Sequence, residues 1–330
     1  MGRLGIVAIG RNEGDRLRRC LESVLGRGVP VVYVDSGSGD GSPALARQLG
    51  ATVVELDASA PFTAGRGRNA GFERVLALQP DLELVQFVDG DCEVVPGWLE
   101  DAQEEIEADA RIAVLCGRVR ERHPERSVYN RMCDLEWDAP PGEARACGGN
   151  ALVRVRAFRE SGGFRSGLIA GEEPELCLRL RQAGWRILRS ARDMVLHDAD
   201  MTEFGQWWRR ALRAGWAFAE GAALHGSSPE RHWVRDTRSV LFWGLVLPVA
   251  VLLLAWPTRG LALALLAGYP VLAARIHARA VRDGLSRRDA RLQAGFIVLG
   301  KFPQAIGLAQ FAAMRLLGRR RRVVDWRVAG

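Results

Sequence analysis

The sequence predicts an α/β fold, a mostly parallel sheet with helices on both faces, followed by a helical membrane region. Three observations carry that reading. Short apolar runs alternate with amphipathic stretches through the N-terminal part of the chain. Polar, glycine-rich punctuation recurs where those runs stop. From Ser239 onward, formal charge disappears over a stretch long enough to matter in a bilayer.

The elements follow in order. GIVAIG at residues 5–10 reads as a first strand and DRLRRCLESVLG at 15–26 as the helix after it. VPVVYVDSG and SPALARQLG repeat the pair; TVVEL adds a strand, RNAGFERVLALQP a helix, and LELVQFVDGD another strand. Continuous apolar strands between amphipathic helices imply a sheet buried on both faces. Beyond IAVLCGRVRERHPERS the pattern loosens, and an arginine-rich connection leads to CGGNALVRVRAFRESGGF, GEEPELCLRLRQAGWRI and MVLHDADMTEFGQWWRRALRAGWAFAEG. In open sheets of this kind ligands collect beyond the carboxyl ends of the strands. GRNEG, DSGSGDGS and DGDCE all fall there. Asp89 and Asp91 therefore sit on the ligand edge. Two carboxylates that close repel unless water or a cation stands in front of them.

The 330 residues leave room for one large domain and a smaller region. The net charge of +7 is carried almost wholly by arginine, Lys301 being the one lysine. Arginine suits phosphate and carboxylate recognition. The basic residues are not interleaved with aromatics along a helix and no zinc-finger pattern occurs, so nucleic acid is not an expected partner. Cys20, Cys92, Cys116, Cys133, Cys147 and Cys177 form no CxxC pair and fall mostly in apolar runs, which points to a reduced, cytosolic setting. The apolar start of the chain is too short for a secretory signal and reads as a strand. AIGRNEG lacks the GxGxxG of dinucleotide sites, and no P-loop occurs.

Ser239 to Trp256 is an uncharged run of 18 residues, about 27 Å as a helix and close to the hydrocarbon thickness of a bilayer. Residues 260–275 form a shorter second run. Pro248 and Pro270 do not exclude crossing, because membrane helices tolerate proline. A buried helical hairpin of a soluble protein is the competing reading. RIHARAVRDGLSRRDAR and the terminal GRRRRVVDWR are basic, and positive-inside bias places both in the cytosol. Residues 293–317 carry Lys301, Pro303 and Gln304 and read as an interfacial or re-entrant helix. The expected organisation is a catalytic domain over residues 1–225 and a membrane region over 226–330, with two crossings at 239–256 and 260–275.

The ordered series VAIGRNEG, VDSGSGDGS, GRGRNAGF, FVDGDCE, GGNALVRVRAFRESGGF, GEEPELCLRLRQAGW and VLH resembles the family 2 glycosyltransferases of GT-A fold, from residue 4 to about 220. Its strength lies in the order of many short motifs. The resemblance implies that Asp89-Gly90-Asp91 is the family's DxD motif, with Asp91 a metal ligand and Asp89 facing the ribose or the ion. Independently of the name, a diphosphate leaving group needs its charge neutralised as the glycosidic bond breaks, which a divalent ion shared with carboxylates achieves. Oxygen ligands and substrate phosphates suit Mg²⁺ or Mn²⁺. His197, after the strand DMVLH, falls where related enzymes place a histidine near the metal, or it is a structural donor at a strand end.

The nucleotide sugar falls, by the same resemblance, to Ile9, Arg11, Glu13, Asp35, Arg66, Asn69, Asp89, Gly90, Gly149 and Asn150. Asp35 is followed by Ser36 where the family commonly has a second aspartate, which leaves the base open; a turn acid is the plainer role for Asp35. Asn12 also reads as a helix cap, and Arg66, Arg68 and Asn69 as a solvated helix start. An inverting reaction needs a carboxylate base opposite the leaving group. The family's Glu-Asp pair is Glu172-Glu173 here, with Glu173 in the base position and one methylene longer. Pro174 beside these acids equally marks a helix N-terminus. Gln206, Trp207 and Arg209 are similar to the QxxRW motif of processive synthases, whose last tryptophan is Arg210 here. They read as an acceptor-side helix in a single-addition enzyme, with Trp207, Trp208 and Trp216 alternatively interfacial anchors.

The expected function is inverting transfer of one sugar from a nucleotide donor, a UDP-sugar favoured, to a lipid-linked or polyprenyl acceptor. The expected place is the inner membrane, with the catalytic domain facing the cytosol, in envelope or exopolysaccharide assembly. The rivals are a polyprenyl-phosphate glycosyltransferase and a catalytically silent assembly scaffold.

Overall fold

The computed structural model describes residues 3–318. The terminal run of arginines at 319–322 lies outside the described residues. The chain divides into two compact units. The first runs to Asp200 but leaves out Glu125–Leu135, which belongs with the second unit beginning at Met201. The division thus precedes the helix that the sequence reading assigns to the catalytic domain.

The first unit holds nine strands: β1 (Leu4–Gly10), β2 (Val31–Asp35), β3 (Thr52–Glu55), β4 (Leu84–Asp89), β5 (Cys92–Val94), β6 (Ile112–Glu121), β7 (Gly142–Glu143), β8 (Ala151–Arg154) and β9 (Arg186–His197). They form one sheet in the order β3-β2-β1-β4-β8-β6-β9-β5, with β7 on β9. β3, β2, β1 and β4 are parallel, as the alternating pattern predicts. Beyond β4 the sheet is mixed: β8 runs antiparallel to both β4 and β6, β6 is parallel to β9, and β5 returns antiparallel on β9. This is the part of the chain where the strand–helix alternation loosens.

Helices α1 (Asp15–Val24), α2 (Ser42–Leu49), α3 (Ala64–Leu78), α4 (Trp98–Glu107), α5 (Val128–Trp137), α6 (Val155–Glu160) and α7 (Glu172–Gln182) follow or connect these strands. Leu17, Cys20, Leu21 and Val24 place one stripe of α1 in the core. Ile6, Val7, Val32, Val34, Val85 and Val88 are all buried, the signature of strands covered on both faces. The strand order reverses at β1, between β2 and β4, so the carboxyl ends there open a crevice. Register aligns the ends: Gly10 pairs with Asp35, and Ile9 with Asp89.

The second unit is helical. It contains α8 (Phe204–His225), then α9 (Val234–Leu241), which continues through a π turn at Phe242–Val246 into α10 (Leu247–Ala255). A 3₁₀ stretch (Leu261–Ala267) leads into α11 (Gly268–Arg282), and α12 (Arg287–Leu316) closes the described chain. Pro248 sits at the start of α10, directly after the π turn, where a missing N–H costs least. Among the described residues three helices are long and apolar enough to cross a membrane: Val234–Ala255, Leu261–Arg282 and Arg287–Leu316. The third meets those criteria although its sequence reads as interfacial. Leu252 is 76% exposed and Trp256 92%, so the apolar surface faces outward.

α12 lies along α8 at backbone contact. A Cβ added at Gly307 would overlap the Leu212 carbonyl, and one at Gly215 the Gln304 carbonyl. Edge-to-face pairs flank that seam, Trp207 with Phe296 at 5.0 Å and Trp216 with Phe311 at 5.3 Å.

Candidate active site

The loops after β1 and β2 are laced to each other. Asn12, at φ 56°, receives Gly39 N–H on Oδ1 at 2.8 Å and donates its own N–H to Ser38 Oγ at 2.9 Å. Gly14 N–H donates to Asp40 at 3.0 Å. Asp35 is buried, and its carboxylate accepts from Tyr33 Oη at 3.0 Å, Gly37 N at 2.9 Å and Ser38 N at 2.7 Å. It therefore shapes the loop, and burial beside it pushes the Tyr33 phenol well up. Glu13 is buried on the same edge, 3.3 Å from Arg16. Arg11 and Arg66 lie 5.6 and 5.9 Å from the Phe62 ring, and Arg66 also pairs with Asp57 at 2.7 Å. Arg66 thus braces the loop before α3.

The acidic turn between β4 and β5 is held tightly. Gly90 N–H donates to the Ile9 carbonyl at 2.7 Å, and an added Cβ there would stand 3.1 Å from both Glu13 Cγ and that carbonyl. Asn150 Oδ1 receives the Asp89 N–H at 2.9 Å. Arg68 is 3% exposed and joins two acids: Nη2 to Asp89 Oδ1 at 2.7 Å, Nη1 to Glu172 Oε1 at 2.8 Å. Burial disfavours its charge, and the two carboxylates more than restore it. A Cβ at Gly149 would overlap Asp89 Oδ2 and Arg68 Nη2, so a side chain there would have to push this ion pair aside.

Asp91 is buried and points to a different partner. Its Oδ2 lies 3.3 Å from His197 Nε2, while His197 Nδ1 lies 3.3 Å from Glu121 Oε2. Glu121 also receives Ala199 N–H at 3.2 Å, and the Trp137 ring meets the imidazole edge-on at 4.4 Å. Burial lowers the imidazole's proton affinity, but Asp91 and Glu121 overcome it and push the pKa up to about 9. Asp91, Cys92 and His197 bring three ligand atoms together. Cys92 Sγ contacts Asp91 Oδ1 at 3.6 Å, and burial raises its pKa well above the ordinary thiol range, so it remains a thiol. The oxygen and nitrogen donors here are a carboxylate and an imidazole whose other nitrogen is oriented by a carboxylate, a pair that fits Mg²⁺ or Mn²⁺.

Glu172 and Glu173 open α7 and diverge. Glu172 turns to Arg68. Glu173 is 7% exposed, and its Oε1 accepts from Cys147 N–H and from Cys177 Sγ, the latter at 3.2 Å. Its described hydrogen bonds all fall on Oε1. Cys147 Sγ and Cys177 Sγ are 3.6 Å apart.

Other expected site residues have structural partners. Asn69 Nδ2 donates to the Phe164 carbonyl at 2.8 Å while its Oδ1 receives Phe164 N–H at 2.9 Å, so it fixes the loop before α7. In the second unit, Gln206 Oε1 receives the N–H groups of Thr202 and Glu203 at 2.8 and 3.0 Å and completes the capping box of α8. Trp207 is buried against Phe296. Arg209 follows on the same helix. Glu121 and the bridge through Arg68 escape sequence reasoning. The one available signal for Glu121 is that β6 and β9 are both long strands whose last residues, Glu121 and His197, pair in register.

Comparison with known proteins follows the same lines. Glycosyltransferase AglE of Haloferax volcanii is 25% identical over 221 residues, 62% of this chain and 69% of AglE. The pre-mycofactocin glycosyltransferase of Mycobacterium tuberculosis is 27% identical over 235 residues, 65% of this chain and 46% of that protein, so the chain spans under half its length. Among solved structures, the mannosyltransferase PcManGT from Pyrobaculum calidifontis, in complex with GDP-Man and Mn²⁺, superposes with a TM-score of 0.60 at 18% identity, covering 96% of this chain and 87% of that one. At that identity the likeness is one of fold. The family described as glycosyl transferase family 2 matches residues 6–168, and with its DGD turn at the switch point of a GT-A sheet the chain belongs to that family.

Proposed function

We propose that this protein is a metal-dependent, inverting glycosyltransferase that moves one sugar from a nucleotide donor to a lipid-linked acceptor at the cytosolic face of the inner membrane. The observation that carries the reading is the separation of the two aspartates. Asp89 is committed to Arg68, and Asp91 faces His197, which Glu121 orients. Asp91 and His197 would hold a divalent cation, which when bound supplies the positive charge that offsets the diphosphate leaving group.

The remaining work belongs to the chain. Glu13, Arg11 and the laced loops shape the base and ribose end of the donor site. Arg68 keeps Asp89 and Glu172 in place across the turn, and Gly149 leaves space beside them. Glu173 takes the proton of the attacking hydroxyl on Oε2, because Oε1 is held by Cys147 and Cys177 and its direction is thereby set. Transfer by direct displacement inverts the anomeric centre. The outward apolar helices support a membrane-bound acceptor, and AglE and the pre-mycofactocin glycosyltransferase support glycosyl transfer. A UDP-sugar remains the favoured donor, alongside the GDP-Man that PcManGT holds.

The test is a panel of sugar nucleotides with Mn²⁺ or Mg²⁺. The protein is expected to cleave one donor slowly without acceptor, and Asp91→Asn to abolish the cleavage. Absence of cleavage across the panel, with membrane extract supplied as acceptor, would favour a silent assembly scaffold.

A further inference from the structure

The corner between α11 and α12 carries a feature that the sugar-transfer reading does not use. Arg275, Arg279 and Arg282 recur at helical spacing on the last turns of α11, and Arg287 opens α12. With His277 and Val281 they line a groove of about 700 Å³. The nearest acid on α11's end, Asp283, reaches Arg279 at 3.5 Å, and Asp289 in the first turn of α12 is neutralised by Arg131 at 2.9 Å. Positive charge therefore dominates the groove. Two further observations point to an anion. The Nδ1 of His277 is buried with no hydrogen-bond partner, a cost that a ligand would relieve. The start of α12 adds the positive end of a 30-residue helix to the same corner.

We infer that this groove binds the headgroup phosphate of an anionic membrane lipid. The apolar length of α11 precedes the arginines in the same helix, so a lipid whose chains lie along Leu261–Arg282 places its phosphate at this level. A planar guanidinium gives paired hydrogen bonds to phosphate oxygens, and His277 supplies a directional contact that a diffuse charge layer lacks. The inference rests on α11 meeting a bilayer, and it is independent of which sugar is transferred.

Native mass spectrometry of the full-length protein, released from micelles holding equal phosphatidylglycerol and phosphatidylcholine, reads the site directly. The wild type is expected to retain phosphatidylglycerol selectively. Replacing Arg275, Arg279 and Arg282 together by glutamine should reduce that preference roughly a hundredfold at low salt, at about fivefold per basic side chain. The corresponding lysine variant should keep most of it, which separates charge from folding. His277→Leu should lower it about fivefold with all arginines present. Equal retention of both lipids by the wild type, an unchanged preference in the glutamine variant, or a silent His277→Leu would each overturn the inference. Displacement of the lipid by inorganic phosphate at physiological ionic strength would assign the groove to a soluble anion and overturn it as well. Donor cleavage measured on the same preparations keeps the two readings apart. Cleavage with unselective lipid retention removes this inference alone, and selective retention without cleavage removes the catalytic reading alone.

Discussion

Glu173 has one oxygen fixed by Cys147 and Cys177 and the other unclaimed among its described contacts, the arrangement a directed base requires. Glu173→Gln keeps the shape and the bonds to Oε1 but cannot take a proton. Turnover at saturating donor and acceptor should fall by about a hundredfold or more, with donor affinity by calorimetry little changed; retention of more than about a tenth of wild-type turnover would remove Glu173 from the base position. His197 leads to a second prediction. Between Asp91 and Glu121 its pKa lies near 9 rather than the ordinary 6.5, so without metal it is protonated at neutral pH. A cation at Asp91 must displace that proton. Mn²⁺ affinity should then rise about tenfold per pH unit up to pH 9 and level off above it; a titration flat between pH 6 and 9 would exclude His197 as a ligand. The sign for the metal-free fold is opposite, because a raised histidine stabilises fully below its unfolded value and loses that contribution as pH climbs through about 9. At this scale the acids at 89 and 91 were legible because they interrupt an apolar strand within a few residues. The partners that assign their roles were not. Arg68 meets Glu172 from 104 residues away, and His197 meets Glu121 from 76 away, contacts that sheet register creates and local pattern does not encode.

Elements in the first unit were readable wherever one physical period persisted. β1, β2 and β4 are continuous apolar runs ending in polar glycine-rich loops, and their order emerges from strand–helix alternation. β8 was not readable as an antiparallel strand, because four residues inserted between β4 and β6 look the same in either direction. In the second unit, Lys301, Pro303 and Gln304 argue for an interfacial or re-entrant helix over residues 293–317, and the structure has one helix from Arg287 to Leu316 that continues through Pro303. What sequence hydropathy misses is the glycine seam on α8. Gly307→Ala should destabilise the protein, because the new methyl meets backbone atoms of Leu212 and Trp216 that cannot swing away, at a cost of about 1–3 kcal/mol. Gly295→Ala, on the same helix with nothing within 4 Å of the added carbon, should be neutral or stabilising by up to about 1 kcal/mol. Opposite shifts in melting temperature in the same detergent check the seam; equal shifts would mean that α12 does not pack on α8 this way.

For the whole molecule the open question is orientation, and the cysteines make it measurable. All six are buried, so a membrane-impermeant maleimide applied to intact cells meets almost no background from the protein's own thiols. If Val234–Ala255 and Leu261–Arg282 cross and return, Pro257 between them faces outward, while Arg288 at the opposite corner faces the cytosol beside the lipid groove. Pro257→Cys should label in intact cells, and Arg288→Cys only after permeabilisation. Leu317, 65% exposed beyond α12, decides the third helix. If α12 lies along the interface with α8, Leu317→Cys behaves like Arg288→Cys; if α12 crosses, it behaves like Pro257→Cys. The close α8 seam favours the first outcome, since α8 carries Arg209, Arg210 and Arg213 within its length and is not itself apolar enough to cross. Labelling of Arg288→Cys in intact cells would reverse the orientation altogether. It would place the start of α12 away from the nucleotide sugars of the cytosol and end the proposal that the acceptor is glycosylated on that face.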